Sequence, residues 1–347
     1  MAQDAIQEPK VKPGPNRAVL QALYLHVGAS LLRNLVWLMS GDGKDFDDIV
    51  TIKTPGLGDG QVRIAICRPH GARSMQKGER TPLVMVLEGG GFVLGQPEDG
   101  QKHDRKIAEE TGAVVISIDY AKAPRHPYPH ALLQIYEVLK WAFTPAAQSQ
   151  GLDIDPRRVA VMGNSAGGNL TAALSLLLSF SNGPCARFRN ALPNDFRQVK
   201  QILIYPSVEC NALYRTRFQR AEAAVQAKSL PVGIAELMES SYLPPHIDKE
   251  QIFIAPLLTE SGLLKELKPA SALVLTAGLD CLKKEADVYA RKLREAGVNV
   301  EEHDYPEAIH GFSHYTKGKD FRVVDVEDCW KRIAGVLTDA FESGSNN

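Results

Sequence analysis

The residues best placed to do chemistry surround Ser165. It sits in Gly163-Asn164-Ser165-Ala166-Gly167, preceded by the apolar run Val159-Ala-Val-Met162 and followed by Leu170-Thr-Ala-Ala-Leu174. A buried strand that runs into G-x-S-x-G and straight on into a helix is the setting in which a serine is held on a tight, strained turn with its hydroxyl exposed. Gly163 and Gly167 leave room for such a turn, and the helix N-terminus behind Ser165 adds a dipole that favours developing negative charge. A serine of this kind attacks an acyl carbon only with a general base, an acid that orients the base, and N–H donors aimed at the oxyanion.

The sequence offers each of these. With a strand–serine–helix nucleophile the partners follow in the order acid, then histidine. Leu273-Val-Leu-Thr-Ala-Gly-Leu-Asp280 reads as a strand with an acid at its carboxyl end, and Tyr305-Pro-Glu-Ala-Ile-His310-Gly-Phe312 places a histidine in a loop after the last strand. His310 would take the Ser165 proton, and Asp280 would fix the histidine tautomer and stabilise the imidazolium. Glu285 and Glu307 are rival acids, but they fall on a helix or a loop, so Asp280 is preferred. The strand Leu83-Val-Met-Val-Leu87 empties into Glu88-Gly89-Gly90-Gly91-Phe92. Glycines there let backbone N–H groups approach a substrate, and Gly89, Gly90 and Ala166 are expected to form the oxyanion hole.

The elements that must hold these residues alternate. Strands are expected near 48–53, 62–68, 83–87, 113–118, 159–162, 201–205, 272–276 and 298–303, most of them rich in Val and Ile. Helices are expected between them near 105–111, 131–142, 166–180 and 284–296, with a last one near 326–341. This alternation predicts an α/β fold with a mostly parallel sheet flanked by helices, and ligands in such sheets bind at the carboxyl ends of the strands. The rhythm breaks between 207 and 250, where two helices (218–228 and 231–243) follow one another without a strand. We expect residues 51–206 and 251–347 to form the core, 207–250 a helical cap insertion, and 1–50 an N-terminal cap segment.

Composition narrows the function classes. A formal net charge of -1 excludes the cationic surface that nucleic acid demands. Five scattered cysteines without a CxxC pair indicate free thiols in a reducing, cytoplasmic setting rather than a disulfide framework. No basic segment followed by an apolar run marks a signal peptide at the N-terminus. The stretch 21–39 nearly reaches the length of a membrane span, but His26, Arg33 and Asn34 interrupt it. It reads as an amphipathic helix over the protein's own surface, with peripheral membrane contact the alternative. His310 with His314, and His126 with His130, have the i, i+4 spacing of metal ligands but lack the glutamate and the continuous helix of HExxH. No metal or other cofactor is expected.

In order along the chain, Gly89-Gly90-Gly91-Phe92, Asp119-Tyr120, Ala123-Pro124, His126-Pro127-Tyr128-Pro129, Gly163-Asn-Ser-Ala-Gly-Gly-Asn169, Ala255-Pro-Leu-Leu258, Thr276-Ala-Gly-Leu-Asp280 and His310-Gly311-Phe312 resemble the hormone-sensitive-lipase-like (family IV) carboxylesterases of the α/β-hydrolase fold. The resemblance implies an eight-stranded sheet, a helical cap built from the N-terminus and the insertion, no cofactor, and hydrolysis of small acyl esters through an acyl-enzyme. Alternatives within that resemblance are a biosynthetic acyltransferase, lactonase or lyase acting on a natural-product intermediate, and a non-catalytic small-molecule receptor. The filled triad positions argue against the receptor. Phe92, Trp37, Tyr214 and Tyr242 are candidate pocket walls.

The chain departs from the family in three places. Glu88 stands where the family has the histidine of His-Gly-Gly-Gly; at roughly 7 Å and an effective dielectric near 20, its charge would oppose the oxyanion by about 2 kcal/mol. That is tolerable only if Glu88 points away, is protonated or is paired. In the family's Asp-Tyr-Arg-Leu-Ala-Pro-Glu-His-Pro block the Arg is Ala121 and the Glu is Arg125; either Arg125 compensates Glu88 directly, or the two are independent surface changes. Asn164 replaces the usual Asp before the nucleophile, and Cys281 the Pro after the triad acid, where it reads as a packing residue.

Overall fold

A computed structural model describes residues 3–14, 18–37, 44–70 and 79–345. Its eight strands are β1 (Asp48–Lys53), β2 (Gln61–Cys67), β3 (Thr81–Leu87), β4 (Val114–Asp119), β5 (Ile154–Asn164), β6 (Gln198–Ile204), β7 (Ala272–Leu279) and β8 (Val300–Ile309). They form one sheet in the order β1-β2-β4-β3-β5-β6-β7-β8. β2 runs antiparallel to both β1 and β4, and every pairing from β4 to β8 is parallel. All eight strands lie where the apolar runs predict them. Several extend beyond the expected limits, because polar residues at a strand's ends still pair along the ladder.

The central strands are covered on both faces, which is why they read as unbroken apolar runs. Along β3 the side chains alternate. Leu83, Met85 and Leu87 pack with the helices His130–Trp141, Ala166–Leu178 and Lys283–Glu295 on one face. Val84 and Val86 pack with Gln101–Thr111 and Val323–Ser345 on the other. β8 at the sheet edge is mostly half-buried or exposed. Beside it, a Cβ on Gly278 would lie 2.3 Å from the carbonyl oxygen of Pro306, and here the β7–β8 register shifts.

Between β6 and β7, the helix expected over 218–228 is instead two short helices, Tyr214–Gln219 and Ala223–Gln226. No Gly or Pro marks that break. It comes from tertiary contacts: Tyr214 and Arg217 are buried, and Arg220 pairs with Glu209 at 2.9 Å. The following helix, Val232–Tyr242, agrees with expectation.

The N-terminal helix Val19–Trp37 packs on Val232–Tyr242; a Cβ on Gly28 would come within 2.4 Å of Leu237. Leu25 and Ala29 are buried on its inner face, whereas Leu20, Leu23, Tyr24, Val27 and Leu31 face outward. Arg33 donates to the carbonyl oxygens of Val93 (3.0 Å) and Ala123 (2.7 Å), tying this helix to the segment just after the glycine loop. No helix among the described residues is long and apolar enough to cross a membrane. Leu38 and the side chains of Leu35 and Trp37 lie outside the described residues, so Trp37 is not assigned to a pocket wall.

Candidate active site

The site assembles at the carboxyl ends of five strands. β3 and β5 pair in parallel with Leu87 opposite Gly163, so the glycine loop and the Ser165 turn leave the sheet side by side. Ser165 has φ 54° and ψ −117°, a left-handed conformation that side chains seldom adopt. The surroundings over-determine it. Its N–H donates to the carbonyl of Ile204 (2.9 Å), and its own carbonyl accepts from Asn169 (3.1 Å) and Ser207 (3.2 Å). Buried Asn169 donates from its side chain to the carbonyls of Ser207 and Ile254, stapling the helix start to the chain beyond β6.

The glycines of the motif serve close packing. A Cβ on Gly167 would lie 1.8 Å from the carbonyl oxygen of Leu87, and one on Gly163 would meet the carbonyl of Gly167 at 2.4 Å. Neither position admits a side chain unless β3 and the helix move apart.

Ser165, His310 and Asp280 come together across three loops. Nε2 of His310 lies 2.9 Å from Oγ of Ser165, and Nδ1 lies 2.6 Å from Oδ2 of Asp280. The other oxygen of Asp280 accepts the N–H of Leu282 (3.0 Å), and the carboxylate is buried. The rival acids lie elsewhere. Glu307 is exposed and pairs with Arg322, while Glu285 is buried and accepts the N–H groups of Val208 (2.7 Å) and Glu209 (3.1 Å) and pairs with Arg217. Burial acts to lower the pKa of His310, but the charge and hydrogen bond of Asp280 outweigh it, and the net shift is upward.

Before this hydroxyl lies a cavity of about 60 Å³ lined by Gly91, Phe92, Ala166, Tyr214, Leu230, Ala235, Met238, Leu282 and others, with Arg217 and Glu239 on its polar side. Phe92 and Tyr214 thus take the wall positions expected of them. Tyr242 sits behind, stacked on Phe92 at 3.7 Å between ring centroids. Cys281 is buried with its sulfur 3.2 Å from the hydroxyl of Tyr214, and burial raises its thiol pKa, as befits a packing residue.

Two expectations are corrected. The N–H of Gly89 does not face the cavity; it donates to Oδ1 of Asn164 at 2.7 Å. Gly91, one turn of the loop further on, lines the cavity with Ala166 instead. Three consecutive glycines do not reveal which amide points where, because that depends on the positive φ values of Gly90 (121°), Gly91 (59°) and Phe92 (63°). Asn164 is therefore a structural partner of the loop.

Arg125 does not meet Glu88. It is two-thirds exposed and pairs with Asp59 at 2.7 Å. Glu88 is 3% exposed, and its partner is His314, whose Nε2 lies 3.1 Å from Oε2. Sequence reasoning dismissed His314 together with the metal-like spacing. The signal for it was indirect: a buried acid needs a cation, and His314 follows the triad histidine in the loop nearest to the glycine loop.

Comparison with known proteins agrees with this geometry. Residues 84–314 match the family described as the alpha/beta hydrolase fold. Carboxylic ester hydrolase LipN of Mycobacterium tuberculosis is 32% identical over 76% of this chain and 64% of its own length. Carboxylesterase NlhH of the same organism is 30% identical over 68% of each. An ester hydrolase from the metagenome of Lake Arreo superposes with a TM-score of 0.69 at 26% identity, over 94% of both chains. The chain belongs to the α/β-hydrolase fold family and, within it, to the hormone-sensitive-lipase-like carboxylesterases. It spans about two thirds of the length of the curated relatives it matches.

Proposed function

We propose that the protein is a serine carboxylesterase that cleaves small acyl esters through an acyl-enzyme at Ser165. The observation that carries this reading is the hydrogen-bonded series Ser165–His310–Asp280 opening on an apolar cavity. His310 takes the Ser165 proton as Oγ attacks the ester carbonyl, then returns it to the leaving alkoxide. A water repeats the sequence on the acyl-enzyme, and Asp280 holds the imidazole in the required tautomer throughout. The N–H groups of Gly90, Gly91 and Ala166 receive the oxyanion. The N-terminal helix and the helices of 214–242 act as a cap over the acyl cavity. Five buried cysteines, all free, support a reducing compartment such as the cytoplasm.

The test is hydrolysis of p-nitrophenyl esters from acetate to palmitate, with labelling of Ser165 by an organophosphonate. The cavity before Ser165 is small, about 60 Å³, and Met238 forms part of its wall. Acetate to butyrate should therefore turn over at least about tenfold faster than octanoate, and Met238→Ala should move the preference to longer chains. A wild-type preference for palmitate would refute this view of the cavity.

The raised pKa of His310 sets the acid side of the pH profile. A general base works only when deprotonated, so kcat/KM should fall as pH drops through a value above the ordinary histidine pKa of 6.5. Asp280→Asn removes the charge that raises it and should move the remaining acid limb to lower pH. An acid limb near pH 4 in wild type would identify a carboxylate as the titrating base instead.

A further inference from the structure

The polar cluster behind the glycine loop has no place in the mechanism above. Glu88 lies buried at the loop's start, its backbone carbonyl accepting the hydroxyl of Tyr120 at 2.5 Å. A Cβ on Gly100 would lie 2.1 Å from Oε1 of Glu88, so the protein leaves a fitted space for this carboxylate. His314 fills the other side, with Nε2 at 3.1 Å from Oε2. Its Nδ1 is 2.9 Å from Oγ of Ser313, 3.4 Å from the hydroxyl of Tyr205 and 3.5 Å from Nδ2 of Asn164. Asn164 in turn accepts the N–H of Gly89. A cluster of polar side chains, Glu88, His314 and Asn164, thus surrounds the root of the glycine loop. It joins that loop to the turn that carries His310.

We propose that His314 is a positioning residue for ester hydrolysis: as an imidazolium it neutralises Glu88 from Nε2 and donates from Nδ1 to Oγ of Ser313, so that the root of the glycine loop stays fixed to the turn that carries His310 and the N–H groups of Gly90 and Gly91 stay aimed at the oxyanion. The proposal rests on the reading of Ser165 as nucleophile. It explains how an acid is accommodated behind an oxyanion hole, since the charge that would oppose the transition state is matched within the same cluster.

Among the described residues, His314 is the cation in contact with Glu88. From the helix Gln101–Thr111, His103 stacks on Trp330 at 4.1 Å, its pKa pushed down to about 3 by burial, so it is neutral. Asp104 on the same helix is fully buried, and burial together with the Glu88 charge drives its pKa up. Lys102 and Lys106, on that helix, add to the lowering of the His103 pKa. Asp99, from the turn before the helix, adds negative potential. Tyr205 stands between the pair and His310, its ring 5.0 Å from the imidazole, and burial raises its phenol pKa. Burial acts to lower the pKa of His314, but Glu88 and then Asp99 outweigh it, and the net shift is upward. Loss of the His314 proton leaves Glu88 unmatched, so activity should fall on the alkaline side of the profile, opposite to the limb set by His310.

The experiment measures kcat and KM for p-nitrophenyl acetate from pH 5.5 to 9.5 in wild type, His314→Gln, Glu88→Gln and the double variant, with Ser165→Ala as control. His314→Gln should lose about thirtyfold in kcat at pH 7.5 with KM changed by less than about threefold. Glu88→Gln added to His314→Gln should restore kcat to within about threefold to fivefold of wild type and remove the alkaline limb. The double variant buries no unpaired charge, so it separates electrostatics from misfolding. His314→Gln with more than a third of wild-type kcat would overturn the proposal. So would a double variant no faster than His314→Gln, or one that keeps the alkaline limb. Wild-type turnover that survives Ser165→Ala would overturn the nucleophile reading itself. Ser165-dependent turnover with a kinetically silent pair overturns this proposal alone.

Discussion

Ser165→Ala should lower kcat/KM for p-nitrophenyl acetate by about 10⁵- to 10⁶-fold, the loss seen when the nucleophile of an acylating triad is removed. The substitution deletes a single oxygen. Alanine can follow the left-handed backbone at this position about as well as serine, and the contacts that hold it there, from Ile204, Asn169 and Ser207, are made by the main chain. Stability should therefore change by less than about 1 kcal/mol. An unchanged melting temperature with vanished turnover and vanished phosphonate labelling is the expected pattern. Residual activity above about one per cent of wild type would mean that the acyl group is carried elsewhere or that water attacks directly.

Arg217→Met should destabilise the protein by about 3–5 kcal/mol, because breaking a buried ion pair leaves uncompensated charge. Arg217 is 4% exposed and lies between two carboxylates, Glu285 at 3.2 Å and Glu239, with Nη1 also donating to Ser207 (3.0 Å). Burial raises the pKa of both glutamates, and Arg217 is the main charge opposing it. Without Arg217 the folded-state pKa values rise further, so the folded protein holds protons that the unfolded chain has released. Stability must then fall as pH rises. The deficit relative to wild type should be small near pH 5 and should grow towards pH 8, which thermal unfolding at several pH values measures. A deficit independent of pH would mean that lost packing, not charge, is the cause.

Much of this site was legible in the sequence because its parts are local. The G-x-S-x-G turn needs two glycines at fixed spacing from the serine, and their carbonyl contacts explain why no other residue serves. Asp280 was legible because it ends an apolar strand and His310 because it stands in the loop after the last strand, and a parallel sheet brings all such ends to one edge. What stayed hidden is tertiary. Arg125 and Glu88 look like a charge exchange along the chain, yet one lies on a surface turn beside Asp59 and the other behind the glycine loop. The break between Tyr214–Gln219 and Ala223–Gln226 has no breaker residue, because buried Arg217 and its distant partners set it. The orientation of Gly89 likewise depends on the Asn164 side chain, from a strand that the sequence alone does not register against β3.

The sheet order gives the two halves of the machinery unequal protection. Ser165 and the glycine loop grow from β5 and β3 in the middle of the sheet, whereas Asp280 and His310 follow β7 and β8, the last pair at one edge. Backbone hydrogen bonds at an exposed edge open more readily than those of central strands. Warming should therefore release the acid–base half while the nucleophile half is still folded around an intact centre. The enzyme would fall silent some degrees before it unfolds, and, cooled in time, it would recover by re-zipping one edge strand rather than by refolding.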